Sequence, residues 1–128
     1  MRLLLDTQLA LWWQTGDSRL GGAVRSLVEG NEDDVFVSVV TLWELALKSG
    51  TGKLDVDLAE FASYVETAGF QWLPIKNAHI LHLPNLPVFP DHKDPFDRLL
   101  VSQSASEPLV LLTRDAKLGK YGDLVRVV

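Results

Sequence analysis

Short apolar runs alternate with segments of helical spacing along the whole chain, and this alternation constrains the fold more than any other feature. Residues 1–5 read as a buried strand that ends on Asp6, and Leu9, Trp12 and Trp13 then recur at helical spacing until Gly16. Residues 18–29 predict a second helix, followed by Gly30 and the acidic run Glu32-Asp33-Asp34, which reads as a solvated turn. Val35-Phe36-Val37-Ser38-Val39 has the composition of a strand. Thr41-Leu42-Trp43-Glu44 then opens a helix that runs to about Gly50, with Thr41 and Glu44 at capping-box spacing and Lys48 one turn beyond Glu44. Residues 57–68 form an amphipathic helix stopped by Gly69, and residues 70–75 a third strand that Pro74 places at an edge or an end. Asn77 is expected to cap a short helix through Leu83, and a loop stiffened by Pro84, Pro87 and Pro90 follows. A helix over 95–106, a strand over 109–112, a helical turn near 116–118 and a strand over 124–128 close the chain. Strands alternating with helices predict an α/β fold: a mainly parallel sheet, helices on both faces, right-handed crossovers.

At 128 residues the chain suits one domain spanning 1–128, and a 47% hydrophobic content supplies its core. With no cysteine there is no disulfide, thiolate metal site or cysteine nucleophile, which suits a reducing compartment. The longest apolar runs are far too short to span a bilayer, and the N-terminus lacks a signal-peptide pattern, so a cytoplasmic protein without a membrane role is expected. A net charge of −5 argues against a broad electrostatic grip on nucleic acid, unless the acids gather around bound cations whose own charge must be counted.

In a parallel sheet, ligands bind beyond the carboxyl ends of the strands. Asp6 ends the first strand, Asp115 follows the fourth in Thr113-Arg114-Asp115, and Glu44 belongs to the helix leaving the second. Asp94 fits an N-cap, because Pro95 pushes it out of the α region and then takes the first helical position. Asp97 falls at the third helical position, where an acid complements the helix dipole; taken alone, this pair reads as a cap. A helix leading into a strand is expected to start at the opposite edge, which leaves Asp97 unplaced. His79 and His82 are neighbours on a short helix but lack a third ligand within reach and read as packing residues. Carboxylates brought close together repel, and a hard divalent ion relieves that conflict. The matching reaction is metal-assisted phosphodiester hydrolysis, which needs no organic nucleophile.

The motifs Leu4-Leu5-Asp6-Thr7 with Leu11-Trp12-Trp13, Ser38 through Leu42-Trp43-Glu44 to Gly52-Lys53-Leu54, Asp94-Pro95-Phe96-Asp97-Arg98-Leu99-Leu100, and Leu112-Thr113-Arg114-Asp115 occur in that order. On these residues the chain resembles the PIN-domain family, specifically the VapC-like toxin ribonucleases of toxin–antitoxin pairs, nearly end to end. The resemblance implies a PIN-like α/β/α sandwich with an acidic pocket that binds magnesium or manganese and cuts RNA. Asp6, Glu44, Asp97 and Asp115 match the family's catalytic, metal-binding acids, with Asp6 and Asp97 as direct ligands, and the resemblance implies that the helix carrying Asp97 brings its first turn to the pocket. Glu44 and Asp115 would ligate through water, complete a second site or orient the attacking water. Asp94 and Thr113 are auxiliary candidates. Gln8 departs from the pattern, since relatives of this type often carry histidine there. The resemblance also implies a cognate antitoxin and a homodimer. Two other readings compete: a catalytically inert PIN-like module that binds RNA or protein, and a receiver-like signalling domain, which the single acid at the end of the first strand disfavours.

Overall fold

The computed structural model describes residues 1–128. Strand β1 (Leu3–Leu5) leads into α1 (Thr7–Thr15), then α2 (Gly22–Glu29), β2 (Val35–Ser38), α3 (Val39–Gly50), α4 (Leu58–Thr67), β3 (Gln71–Leu73), α5 (Asn77–His82), α6 (Pro95–Ser106), β4 (Val110–Thr113) and β5 (Val125–Val127). The strands form one sheet in the order β3-β2-β1-β4-β5, every pair parallel. β1 is central because Leu3, Leu4 and Leu5 are all fully buried, as a strand covered on both faces requires.

Alternate side chains feed two separate cores. Leu3, Leu5, Val35, Val37 and Leu112 pack with Leu9 of α1, Val24 and Val28 of α2, Leu45 of α3 and Phe61 and Val65 of α4. Leu4, Phe36 and Leu111 point the other way, against Leu99 and Leu100 of α6 and Leu118. The period-two alternation of each strand thus builds a three-layer α/β/α sandwich.

Several boundaries differ from expectation for local reasons. The second helix is interrupted: residues Ser18–Leu20 form a single 3-10 turn, and Gly21, at φ +84°, breaks the chain before α2. Helix α3 begins at Val39, not Thr41, because the Ser38 hydroxyl accepts the Val40 N–H and serves as N-cap. Thr41 and Glu44 therefore lie inside the helix and form no capping box. At α5 the preceding residue, Lys76, occupies the cap, and its N–H donates to His79 Nδ1. Glu32-Asp33-Asp34 forms an exposed 3-10 turn.

Element order alone suggests the wrong edge for the start of α6, whereas the family resemblance puts its first turn at the pocket, and the structure agrees with the resemblance. A helix that precedes a parallel strand runs antiparallel to it, so it starts at the carboxyl edge and ends where the strand begins. Helix α6 does this, finishing a few residues before β4, and Asp97 in its first turn sits at the same edge as Asp6 and Asp115. No helix is long and apolar enough to cross a membrane.

Candidate active site

Asp6 is placed by continuity of the sheet: its N–H extends the β1–β4 ladder to Leu112 O, and its side chain caps α1. Oδ1 accepts the Leu9 N–H at 2.8 Å and Oδ2 accepts the Thr113 hydroxyl at 2.6 Å. Burial pushes the carboxyl up to about 6; these two bonds oppose the shift, and the charges of Glu44 and Asp115 add to it. Thr113 Oγ1 also accepts the Asp115 N–H at 3.0 Å, so one hydroxyl ties the end of β4 to the end of β1. Asp115 caps the turn that follows, where its Oδ1 accepts the Lys117 N–H.

Glu44 reaches the cleft from the second turn of α3 and is 5% exposed. Its Oε1 accepts the Thr7 hydroxyl at 2.7 Å and its Oε2 pairs with Lys48 Nζ at 2.6 Å. Glu44 in turn raises the Lys48 ammonium pKa. The buried Thr41 hydroxyl lies 3.1 Å from Thr7 Oγ1, completing a link between α1 and α3.

Asp97 stands in the first turn of α6, which starts where Asp94 Oδ1 accepts the N–H groups of Phe96 and Asp97. The cap expected of Asp94 and Pro95 is therefore present. Burial, then the charge of Asp94, push the Asp97 carboxyl up to about 6; a hydrogen bond with His92 opposes this, and Glu44 and Asp6 contribute further. His92 Nε2 lies 3.2 Å from Asp97 Oδ2.

All the acids named from sequence, Asp6, Glu44, Asp94, Asp97 and Asp115, line one cleft of about 400 Å3, beside Thr7, Gln8, Trp12, Lys48 and Arg114. Candidate donor atoms of His92, Asp97 and Asp115 lie within 4.8 Å of one another; Asp6 and Glu44 stand outside that set. A larger neighbouring cleft of about 790 Å3 shares Thr7, Gln8, Trp12 and Lys48. Its lining acids are Asp17, Asp55, Asp57 and Glu60, of which Asp17 and Asp57 serve as helix caps, and none of the candidate site acids is among them.

His79 is spent structurally: Nδ1 accepts the Lys76 N–H and Nε2 pairs with Glu107. Of the tryptophans, Trp12 and Trp13 are half-buried, whereas Trp43 is 48% exposed and meets the Phe96 ring edge-on. Thr7, Thr41 and His92 were missed as site residues. His92 had one available signal, its position five residues before Asp97 at the end of the proline-rich loop.

This geometry defines an α/β protein whose carboxylate cleft, at the carboxyl edge of a parallel sheet, suits a hard cation. The chain belongs to the PIN-domain family, whose model matches residues 3–124. It is 29% identical over 125 residues to Ribonuclease VapC22 of Mycobacterium tuberculosis, covering 93% of this chain and 91% of that one. Among solved structures it is similar to a chain of VapBC2 from Rickettsia felis bound to a promoter DNA fragment, with a TM-score of 0.70, 14% identity, and coverage of 99% and 98%. It is also similar to a chain of DNA-bound VapBC from Salmonella typhimurium, with a TM-score of 0.69, 16% identity, and coverage of 100% and 97%.

Proposed function

We propose that this chain is an endoribonuclease, the toxin of a toxin–antitoxin pair, and that it hydrolyses RNA phosphodiester bonds with magnesium or manganese. One observation carries the reading: Asp6, Glu44, Asp97 and Asp115 converge on one cleft from separate elements, and with Asp94 they outnumber its lining cations, Lys48 and Arg114. Such an excess of carboxylate is costly without a counter-ion.

The donor set fits a divalent cation. It is rich in carboxylate oxygen, as magnesium and manganese prefer, and burial raises the Asp6 and Asp97 carboxyls to about 6, with neighbouring carboxylate charges adding to the shift. Asp6 and Asp97 would hold the ion, with Asp115 and Glu44 completing a second position or orienting the attacking water. Bound there, the cation supplies Lewis acidity, which activates water and offsets charge on the phosphate and the departing oxygen. Thr113 fixes the Asp6 carboxylate and Lys48 holds Glu44 through their direct bonds. Asp94 sets the start of α6 and so the height of Asp97.

The ribonuclease relative supports the reaction class. The VapBC structures support an antitoxin partner. Exposed apolar side chains, including Trp43, Leu47, Leu81 and Val88, offer surface for that partner and for a homodimer. A cytoplasmic location belongs to the same reading, since that is where an RNA substrate is met.

The deciding experiment is cleavage of total RNA by the purified chain, free of antitoxin, with magnesium or manganese and again with chelator, beside Asp97→Asn. Metal-dependent products that vanish in the variant are the expected result. A folded wild type that neither cleaves RNA nor binds either metal would overturn the reading.

A further inference from the structure

We propose that His92 is a positioning residue of the metal site, acting through Asp97 as the last link of a directed hydrogen-bond chain that starts at Arg98 and passes through Tyr121. The inference rests on the nuclease reading above. His92 precedes α6, its ring is almost wholly buried, and its N–H bonds to Phe89 O across a short bridge. Tyr121 arrives from the turn after β4, its oxygen 2.9 Å from His92 Nδ1 and its ring edge-on to the imidazole. Arg98, one residue beyond Asp97, donates Nη1 to Pro87 O at 2.9 Å and to the Tyr121 oxygen at 3.1 Å.

The order of donors, together with the charge facing Nε2, favours one imidazole tautomer. A guanidinium can only donate, so the Tyr121 oxygen accepts from Arg98 and its own proton is free for His92 Nδ1. The ring proton then resides on Nε2, which faces Asp97 Oδ2. The opposite tautomer would set a ring lone pair against that carboxylate, with Asp115 also within 4.8 Å, and is disfavoured by charge alone.

Asp97 needs such a holder more than its neighbours do. Asp6 is gripped by Thr113 and Leu9, and Glu44 by Thr7 and Lys48. The side chain of Asp97 is 24% exposed, and its cap Asp94 holds only the backbone of that turn. His92 is the group that fixes its rotamer, engaging one oxygen and leaving the other for a cation. Support of this kind for a ligating carboxylate changes metal affinity by about 10–100-fold when removed.

Manganese binding to the metal-free chain, followed by the paramagnetic signal of free manganese, tests this without reference to RNA cleavage. His92→Phe fills the ring's space without a donor and should weaken binding by about 10–100-fold. His92→Gln, whose amide N–H reaches the position of Nε2, should recover most of it. In an Asp97→Asn background His92→Phe should change nothing further. Tyr121→Phe leaves the imidazole in place but removes the proton that sets its tautomer, and should weaken binding a few-fold; this variant carries the test if His92→Phe does not fold by circular dichroism. Wild-type affinity in the folded His92→Phe or in Tyr121→Phe, no recovery in His92→Gln, or a full further loss in the Asp97→Asn background would each overturn the proposal alone. No manganese binding by the wild type would instead remove the metal-dependent reading on which it stands.

Discussion

Two donors hold Asp6 as a carboxylate while burial drives it toward the neutral acid, and burial wins, leaving the group at about 6. That conflict makes Asp6 costly to the metal-free fold and useful to a cation. Asp6→Asn removes the charge and keeps an acceptor for the Leu9 N–H. We expect it to stabilise the metal-free chain at pH 8 by about 1–2 kcal/mol, less than the full pKa shift implies because the Thr113 bond is altered. The same variant should lose RNA cleavage and metal binding. Thermal melts beside a cleavage assay check both, and a variant less stable than wild type at pH 8 contradicts the argument. Thr113→Val deletes the hydroxyl that joins Asp6 Oδ2 to the Asp115 N–H. Its expected cost is about 1–3 kcal/mol in urea unfolding, since buried polar groups lose their partner. Asp6 was legible in sequence because it closes a strand, and Thr113 through the family resemblance. Thr7 and Thr41 were not, since the Thr7 hydroxyl meets a carboxylate 37 residues away and Thr41 reaches it only through Thr7, contacts that leave no local pattern.

Helix α6 shows what punctuation in the sequence can fix. Pro95 dictates both the conformation of Asp94 and the first helical position, so the sequence sets the register of Asp97. The edge from which it starts was lost to a wrong rule about direction, which the antiparallel course of a crossover helix corrects. Helix α3 shows the opposite case. Ser38 and Thr41 are both good caps, and the β-branched pair Val39-Val40 between them extends the strand pattern, so local chemistry chose the wrong one. The tertiary bond decides: Ser38 Oγ accepts the Val40 N–H and donates to Gln103 Oε1 of α6 at 2.6 Å, fully buried. Ser38→Ala should therefore cost about 1–3 kcal/mol, a lost cap plus a stranded amide oxygen, whereas Thr41→Val, which loses only a hydroxyl contact to Thr7, should cost less. Equal midpoints for the two variants in urea would return the cap to Thr41. Gly21 was read through as helix because no sequence pattern announces its φ of +84°. An alanine there meets only the end of the Arg114 side chain, at an ordinary 3.5 Å, so its cost of about 1–2 kcal/mol comes from the left-handed backbone.

For the whole molecule, the acidic cleft couples folding to pH with a sign opposite to that of ordinary salt-bridged carboxylates. Asp6 and Asp97 titrate near 6 in the folded chain against 3.8 as the ordinary value. Between those limits the folded state binds more protons than the unfolded state, so metal-free stability falls as pH rises. The contribution is fully present below the unfolded value and is lost as pH passes through about 6, after which the curve flattens. A cation competes for the same oxygens and binds the ionised form, so its stabilisation, RT ln(1 + [L]/Kd), grows as the protons leave. Magnesium or manganese should therefore raise the melting temperature more at pH 8 than at pH 5, while the chelated chain melts lower at pH 8 than at pH 5. Melts at pH 5, 6 and 8, with chelator and with each metal, separate the two effects. In Asp6→Asn the decline in the chelated chain should shrink and the metal-induced gain should vanish, because the same carboxylate drives the first and holds the ion in the second. A metal-induced shift that is the same at pH 5 and pH 8 would mean that the cation binds elsewhere, away from the carboxyl edge of the sheet.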